Sequence, residues 1–185
     1  MKSKLREKIK ELRKNVSADE VYEKSIKASE NFFQSNIYKQ SRCLMLYSPL
    51  GNEVGTEAII DRAFADGKKV AFPVTDTESG SITPFYAQEN TSFKKGGFSV
   101  KEPQNTEKVQ KNEIDVVVVP GIVFDRKGNR VGFGKGCYDM FLKNCNAVKV
   151  GLCYDFQLAE KIPADEFDVK MDFILTEKEL FCCNK

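Results

Sequence analysis

The chain has 185 residues, 41% of them hydrophobic, and a formal net charge of +2. That is enough chain to bury a core in one domain, 1–185, and too little charge to point to a nucleic-acid partner. No apolar run approaches membrane-spanning length, the six cysteines include no CxxC pair and histidine is absent, which argues against membrane insertion and a zinc site and removes Ser-His or Cys-His nucleophile schemes. Without a signal-peptide pattern, free thiols in a reducing cytoplasm are expected.

Residues 2–14 read as an amphipathic helix with Leu5, Ile9 and Leu12 as its buried stripe. Lys2 and Arg6, four apart, share a face that by itself reads as a solvated basic surface. Ser17-Ala-Asp-Glu20 has the pattern of a capping box. It opens a second helix to about Ser35, with Tyr22, Ile26, Ala28, Phe32 and Phe33 as core positions. Cys43–Tyr47 reads as a strand, followed by a loop carrying Ser48 and Glu53. In open α/β sheets ligands sit beyond the carboxyl ends of strands, which is where this loop falls. Thr56–Asp66 reads as a short helix ended by Gly67, then Lys69–Val74 as a strand stopped at Pro73, and Ser81–Tyr86 as another strand. Phe93 and Phe98 read as core, with the flank of a ring-shaped ligand as the alternative, and 104–112 as a polar surface connection.

The most informative stretch is 114–142. Ile114–Val119 is a nearly unbroken β-branched run, as in a strand covered on both faces. Pro120-Gly121 stops it. A loop crowded with Asp125, Arg126, Lys127, Asn129 and Arg130 follows, then Gly132-Phe133-Gly134-Lys135-Gly136. Alternate glycines let backbone N–H groups approach an anion without Cβ atoms in the way. Tyr138, Phe141 and Leu142 mark the inward face of a helix whose N-terminus would favour phosphate. Arg130 and Lys135 supply full positive charges, and Asp139 lies in the first turn. The spacing is neither the Walker pattern nor G-x-G-x-x-G. Further strands are expected at 147–154 and 172–176. The alternation of strands and helices predicts an α/β sandwich with a mainly parallel sheet.

The string P-G-x-x-F-D-x-x-G-N-R-x-G-x-G-K-G-x-Y-D over 120–139 closely resembles the signature of the 5-formyltetrahydrofolate cyclo-ligase family. The resemblance extends from Lys2 to Thr176. It includes K-x-x-L-R at the start, S-x-x-x-x-E-x-x-T at Ser48, Glu53 and Thr56, F-x-x-x-E-P at Phe98–Pro103, and Gln157 in Tyr154-Asp-Phe-Gln157. Phe167 stands where the family usually has histidine, Cys137 where it usually has an aromatic, and Ser99 where it more often has glycine.

The resemblance implies a three-layer α/β/α fold like that of ribose-5-phosphate isomerases and CoA transferases. It implies ATP-dependent closure of 5-formyltetrahydrofolate to 5,10-methenyltetrahydrofolate, with ADP and phosphate released. Matched residue by residue, Lys2, Arg6, Arg130, Gly132, Phe133, Gly134, Lys135, Gly136, Cys137 and Tyr138 fall on ATP. Ser48 and Glu53 fall on the folate, with the 133–137 segment touching both. Arg130 and Lys135 are the catalytic cations, and Asp139 and Asp168 would hold Mg²⁺. A monomer acting on two small molecules is expected, with no nucleic acid and no membrane. Two alternatives stay open: another phosphate-using enzyme on the same fold, such as an isomerase, and a sensor of a nucleotide or sugar phosphate.

Overall fold

A computed structural model describes residues 2–183. Helix α1 spans Lys2–Lys14. Helix α2 spans Ala18–Gln34, and its capping box is present as expected. Ser17 Oγ accepts from the Glu20 N–H and the Glu20 carboxylate accepts from the Ser17 N–H. Helix α3 (Asn36–Gln40), strand β1 (Cys43–Met45), helix α4 (Glu57–Ala65) and strands β2 (Lys69–Thr75) and β3 (Ile82–Ala87) follow. Then come the short strands β4 (Phe93–Lys95) and β5 (Lys101–Pro103), β6 (Val116–Pro120), β7 (Val123–Asp125) and β8 (Arg130–Val131). Helix α5 (Cys137–Leu142), β9 (Val148–Leu152), β10 (Leu158–Ala159), β11 (Phe173–Leu175) and β12 (Leu180–Cys182) complete the chain.

A seven-stranded sheet in the order β12-β11-β9-β6-β1-β2-β3 organises the molecule. Its five middle strands are parallel, and β3 and β12 close the edges antiparallel. Alternate side chains of each strand enter opposite cores. Leu44, Val70, Val116, Val118 and Val150 pack with the helical layer of α2, α3 and α4. Met45, Ala71, Val117, Val119 and Ile174 pack on the other side with Phe141 and Leu142 of α5. This two-sided burial is why the strands read as continuous apolar runs. No described helix is long and apolar enough to cross a membrane.

Several expectations need correction. Leu12 is exposed and Arg13 is buried in its place, because the inward face of α1 meets polar groups at its end. Tyr22 is 69% exposed. The buried face of α2 instead carries Ser25 and Ser29, whose hydroxyls donate back to the Val21 and Ser25 carbonyls, so a hydrophobic pattern passes over them. Pro73 does not stop its strand. It lies inside β2 opposite Pro84, past the point where β1 ends at Met45 beside Ala71, so it forfeits no bond to β1. Phe93 and Phe98 are 38% and 43% exposed rather than core. Both belong to the β4–β5 hairpin, which was not anticipated. The 104–112 connection buries Val109 and bridges β3 at Lys108.

Candidate active site

A cleft of about 560 Å³ opens at the carboxyl ends of β1 and β6. Every site residue expected from the sequence lines it: Lys2, Arg6, Ser48, Glu53, Arg130, the 132–138 run, Asp139 and Asp168.

The loop that feeds the cleft is built from the FDxxGNR residues. Asp125 is buried and its carboxylate accepts from the backbone N–H groups of Lys127, Asn129 and Ile162 and from Asn129 Nδ2. Gly128 turns the chain with φ +81, and a Cβ there would stand 2.4 Å from the Met171 carbonyl. This knot ties β7 to β8 and delivers Arg130 to the cleft wall. Its guanidinium is nearly enclosed, with Nη2 donating to Asp139 Oδ2 at 3.0 Å and Nη1 to the Pro120 carbonyl at 3.3 Å. Its buried Nε has no acceptor. The Tyr138 ring lies 5.7 Å from the guanidinium carbon. Tyr138 therefore both anchors α5 and lines the site.

The glycine run follows as an open loop. Gly134 and Gly136 hold φ +103 and +68, a region L side chains rarely adopt. Arg6 reaches over from α1, its Nε donating to the Gly132 carbonyl at 2.9 Å. Lys135 is exposed, with no ion pair among the described residues. Helix α5 is only six residues long, so the loop's own N–H groups and the nearby cations, more than a helix dipole, make this end of the cleft positive. Lys2 pairs with Asp165 at 2.7 Å and with Asp168. Burial pushes the Asp168 carboxyl up, but the Asp165 amide and the Lys2 ammonium outweigh it and hold the acid below its usual value.

Another part of the wall is the loop after β1. Glu53 is 6% exposed. Its Oε2 accepts from the Leu50 N–H at 2.9 Å, while its buried Oε1 has no hydrogen bond. Burial pushes this carboxyl up, against the Leu50 amide and Arg13, which lower it. Ser48 donates its hydroxyl to the Lys101 carbonyl at 2.8 Å and so joins the loop to the β4–β5 hairpin. Phe98 of that hairpin lines the cleft with φ +52.

One part of the cleft wall is thus the glycine loop with its cations and another the buried Glu53, and comparisons with known proteins give the family of the chain. Residues 1–177 match the model of the 5-formyltetrahydrofolate cyclo-ligase family. The chain belongs to this family. It is 30% identical over 186 residues to the 5-formyltetrahydrofolate cyclo-ligase of Mus musculus, covering 94% of this chain and 92% of that one. It is 29% identical over 177 residues to the enzyme of that name from Haemophilus influenzae, covering 92% and 95%. The solved structure of Aquifex aeolicus 5,10-methenyltetrahydrofolate synthetase superposes with a TM-score of 0.87 at 33% identity, over 100% of this chain and 93% of that one. The chain is thus an enzyme of the cyclo-ligase kind, with the α/β fold of its relatives.

Within the cyclo-ligase cleft, sequence reading missed Tyr47, Leu50, Pro73, Thr75, Ile82, Val100, Pro120, Val131 and Asp165, and it ranked Phe98 as core ahead of the ligand-flanking place it takes. The apolar members look like ordinary strand residues in a sequence. It also missed Arg13 behind Glu53, although Arg13 follows Arg6 by seven residues and so shares its helical face. Phe167 is 72% exposed, outside the cleft wall. Gln157 is buried and donates to the Gly121 and Ile122 carbonyls, bracing the turn that opens the loop.

Proposed function

We propose that the chain closes 5-formyltetrahydrofolate to 5,10-methenyltetrahydrofolate at the expense of ATP, with Mg²⁺, releasing ADP and phosphate. The observation that carries this is the presence, in one cleft, of the glycine loop with Arg6, Arg130 and Lys135, and of Glu53 with a free buried oxygen. The first set suits a polyphosphate. The second suits the N–H donors of a reduced pterin.

The chemistry follows from the substrate. A formamide oxygen is a poor leaving group. Its attack on the γ-phosphorus forms an O–P bond and breaks the bond to ADP. The resulting imidate-like phosphate has a good leaving group on the formyl carbon. N10 of the same folate attacks that carbon, phosphate departs with the C–O bonding pair, and the N10 proton leaves with it. The nucleophile is tethered to the electrophile, so holding the folate still supplies much of the acceleration.

The chain's residues have clear parts in this. Arg130 and Lys135 stabilise charge on the moving phosphoryl group. Backbone N–H groups of the 132–136 loop and the side chains of Lys2 and Arg6 hold the remaining phosphates. Ser48 and Glu53 hold the folate, and Phe133–Cys137 lie between the two. Asp139 and Asp168 would hold Mg²⁺, in exchange for their present partners: Arg130 and the Val169 N–H on Asp139, Lys2 and the Asp165 N–H on Asp168. Their side chains are 24% and 23% exposed on the cleft wall, and Asp168 Oδ1 has no hydrogen bond. Mg²⁺ needs one or two carboxylates and takes its other ligands from phosphates and water, so no larger acidic cluster is required, and none occurs among the described residues. Bound there, the ion neutralises phosphate charge. On this reading the enzyme works as a monomer in the cytoplasm.

Substrate carrying heavy oxygen in the formyl group tests the route. The label is expected in the released inorganic phosphate. Label retained in water or folate instead would sink the phosphorylated-formyl intermediate.

A further inference from the structure

Glu53 is a buried acid on the cleft wall, and most of its surroundings are neutral. Tyr47, just after β1, and Tyr138 from α5 share the cleft wall with it, and Tyr154 after β9 is within electrostatic reach. Burial pushes all three phenols up, so they stay neutral across the range in which enzymes are assayed. Among the described residues, the ion-pair partner of Glu53 is Arg13, at the far end of α1 from Lys2.

Arg13 is not part of the cleft wall. Its Nη1 stands 3.7 Å from Glu53 Oε1, and its Nη2 donates to the Leu50 carbonyl at 3.3 Å. Leu50 is also the residue whose N–H binds Glu53 Oε2. One guanidinium therefore holds the turn and the carboxylate together. Asn52 fastens the same turn by donating from Nδ2 to the Arg13 and Val16 carbonyls. The gap behind Glu53, walled by Arg13, Pro120, Gly121 and Gln157, is too small for a water molecule. The Glu53 Oε1 that accepts no hydrogen bond therefore faces Arg13 across this gap, while the Glu53 side chain also borders the cleft.

We propose that Arg13 is a positioning residue: from behind Glu53 it keeps that carboxylate an anion fixed on the cleft wall, and so sets how the enzyme recognises the N–H donor edge of its folate substrate. This rests on the reading of Glu53 as the folate-binding acid. Without Arg13 the buried acid loses a counter-charge that favours its ionised form, so its carboxyl is pushed further up. A protonated acid accepts poorly from two donors.

The test compares wild-type enzyme with Arg13→Met, Arg13→Lys and Glu53→Gln, under saturating Mg²⁺. In Arg13→Met, KM for 5-formyltetrahydrofolate is expected to rise about tenfold over wild type at about pH 7 and to return toward it at about pH 9. The KM for ATP and kcat stay unchanged, Arg13→Lys restores the wild-type profile, and Arg13→Met adds nothing in the Glu53→Gln background. Arg13→Gln, which keeps a donor for the Leu50 carbonyl, replaces Arg13→Met if the latter does not fold. A rise independent of pH, or one shared by ATP, assigns Arg13 to packing alone and overturns the inference. Wild-type enzyme that forms no methenyl product overturns the functional reading itself, and this inference with it; wild-type turnover together with an Arg13→Met KM that does not change with pH overturns the inference alone.

Discussion

A carboxylate buried with one oxygen unpartnered works against the fold that carries it. Glu53 is in that position, and the sign of the effect can be worked out. Burial raises its carboxyl above the ordinary glutamate value, so the folded protein holds the proton more firmly than the unfolded chain. Below the ordinary value both states are protonated and Glu53 costs nothing. As pH rises through the window between the ordinary and the raised value, the unfolded state ionises first and stability falls. The stability of wild type relative to Glu53→Gln is therefore expected to fall across that window and then level off, read from denaturant midpoints at a series of pH values. A gap that stays constant or moves the other way contradicts this account of the site. The same substitution is expected to weaken folate binding by about tenfold or more, because a charge-assisted acceptor is lost. Glu53 was legible in the sequence because it lies on a loop beyond the carboxyl end of a strand and, with Ser48 and Thr56, fits the family pattern. Its partner was not. Arg13 looks like one more base on a helix that already carries Lys2, Lys4, Arg6, Lys8 and Lys10. Only the three-dimensional approach of α1 to the β1 loop distinguishes it.

At the level of elements, the turn between β7 and β8 fixes where Arg130 stands. Gly128 is central to it, with φ +81 and the Met171 carbonyl 2.4 Å from any Cβ. Gly128→Ala is expected to cost about 3 kcal/mol or more, since backbone strain and overlap add. Gly51→Ala is the matched control, because Gly51 has φ +56 and nothing within 4 Å of its Cβ position; about 1 kcal/mol is expected there. Equal effects in chemical denaturation would mean that the Met171 contact carries no weight. This turn could be read from residue types alone, since the glycines, Asp125 and Asn129 each state a local demand. The β4–β5 hairpin could not. Phe98 and Ser99 both take positive φ without being glycine. They are held by Glu102, whose carboxylate accepts from the N–H groups of Gly97 and of distant Thr75. A long-range bond of that kind overrides local preference and leaves no short-range trace, so Phe98 passed for a core residue.

For the molecule as a whole, the parallel sheet decides where chemistry can happen. Its carboxyl ends border the cleft, where separate stretches come together, among them the face of α1 with Lys2 and Arg6, the Ser48–Glu53 loop, the run from Arg130 to Asp139, and Asp165 with Asp168. The alternation of apolar strands and helices made the sheet legible, while the antiparallel edge strand β12 and the small β7, β8 and β10 sheet were too short to announce themselves. The central claim is that this cleft joins a phosphate donor to a folate. The most direct measurement follows the near-ultraviolet absorbance of the methenyl product with purified enzyme, 5-formyltetrahydrofolate, Mg²⁺ and ATP. Lys135→Ala serves alongside, since that side chain is exposed and its loss leaves the fold intact. The account predicts a band that grows only with ATP, with one ADP per product, and about 10²-fold more slowly in Lys135→Ala. A band that grows equally well without ATP, or none in the wild-type enzyme, would contradict it.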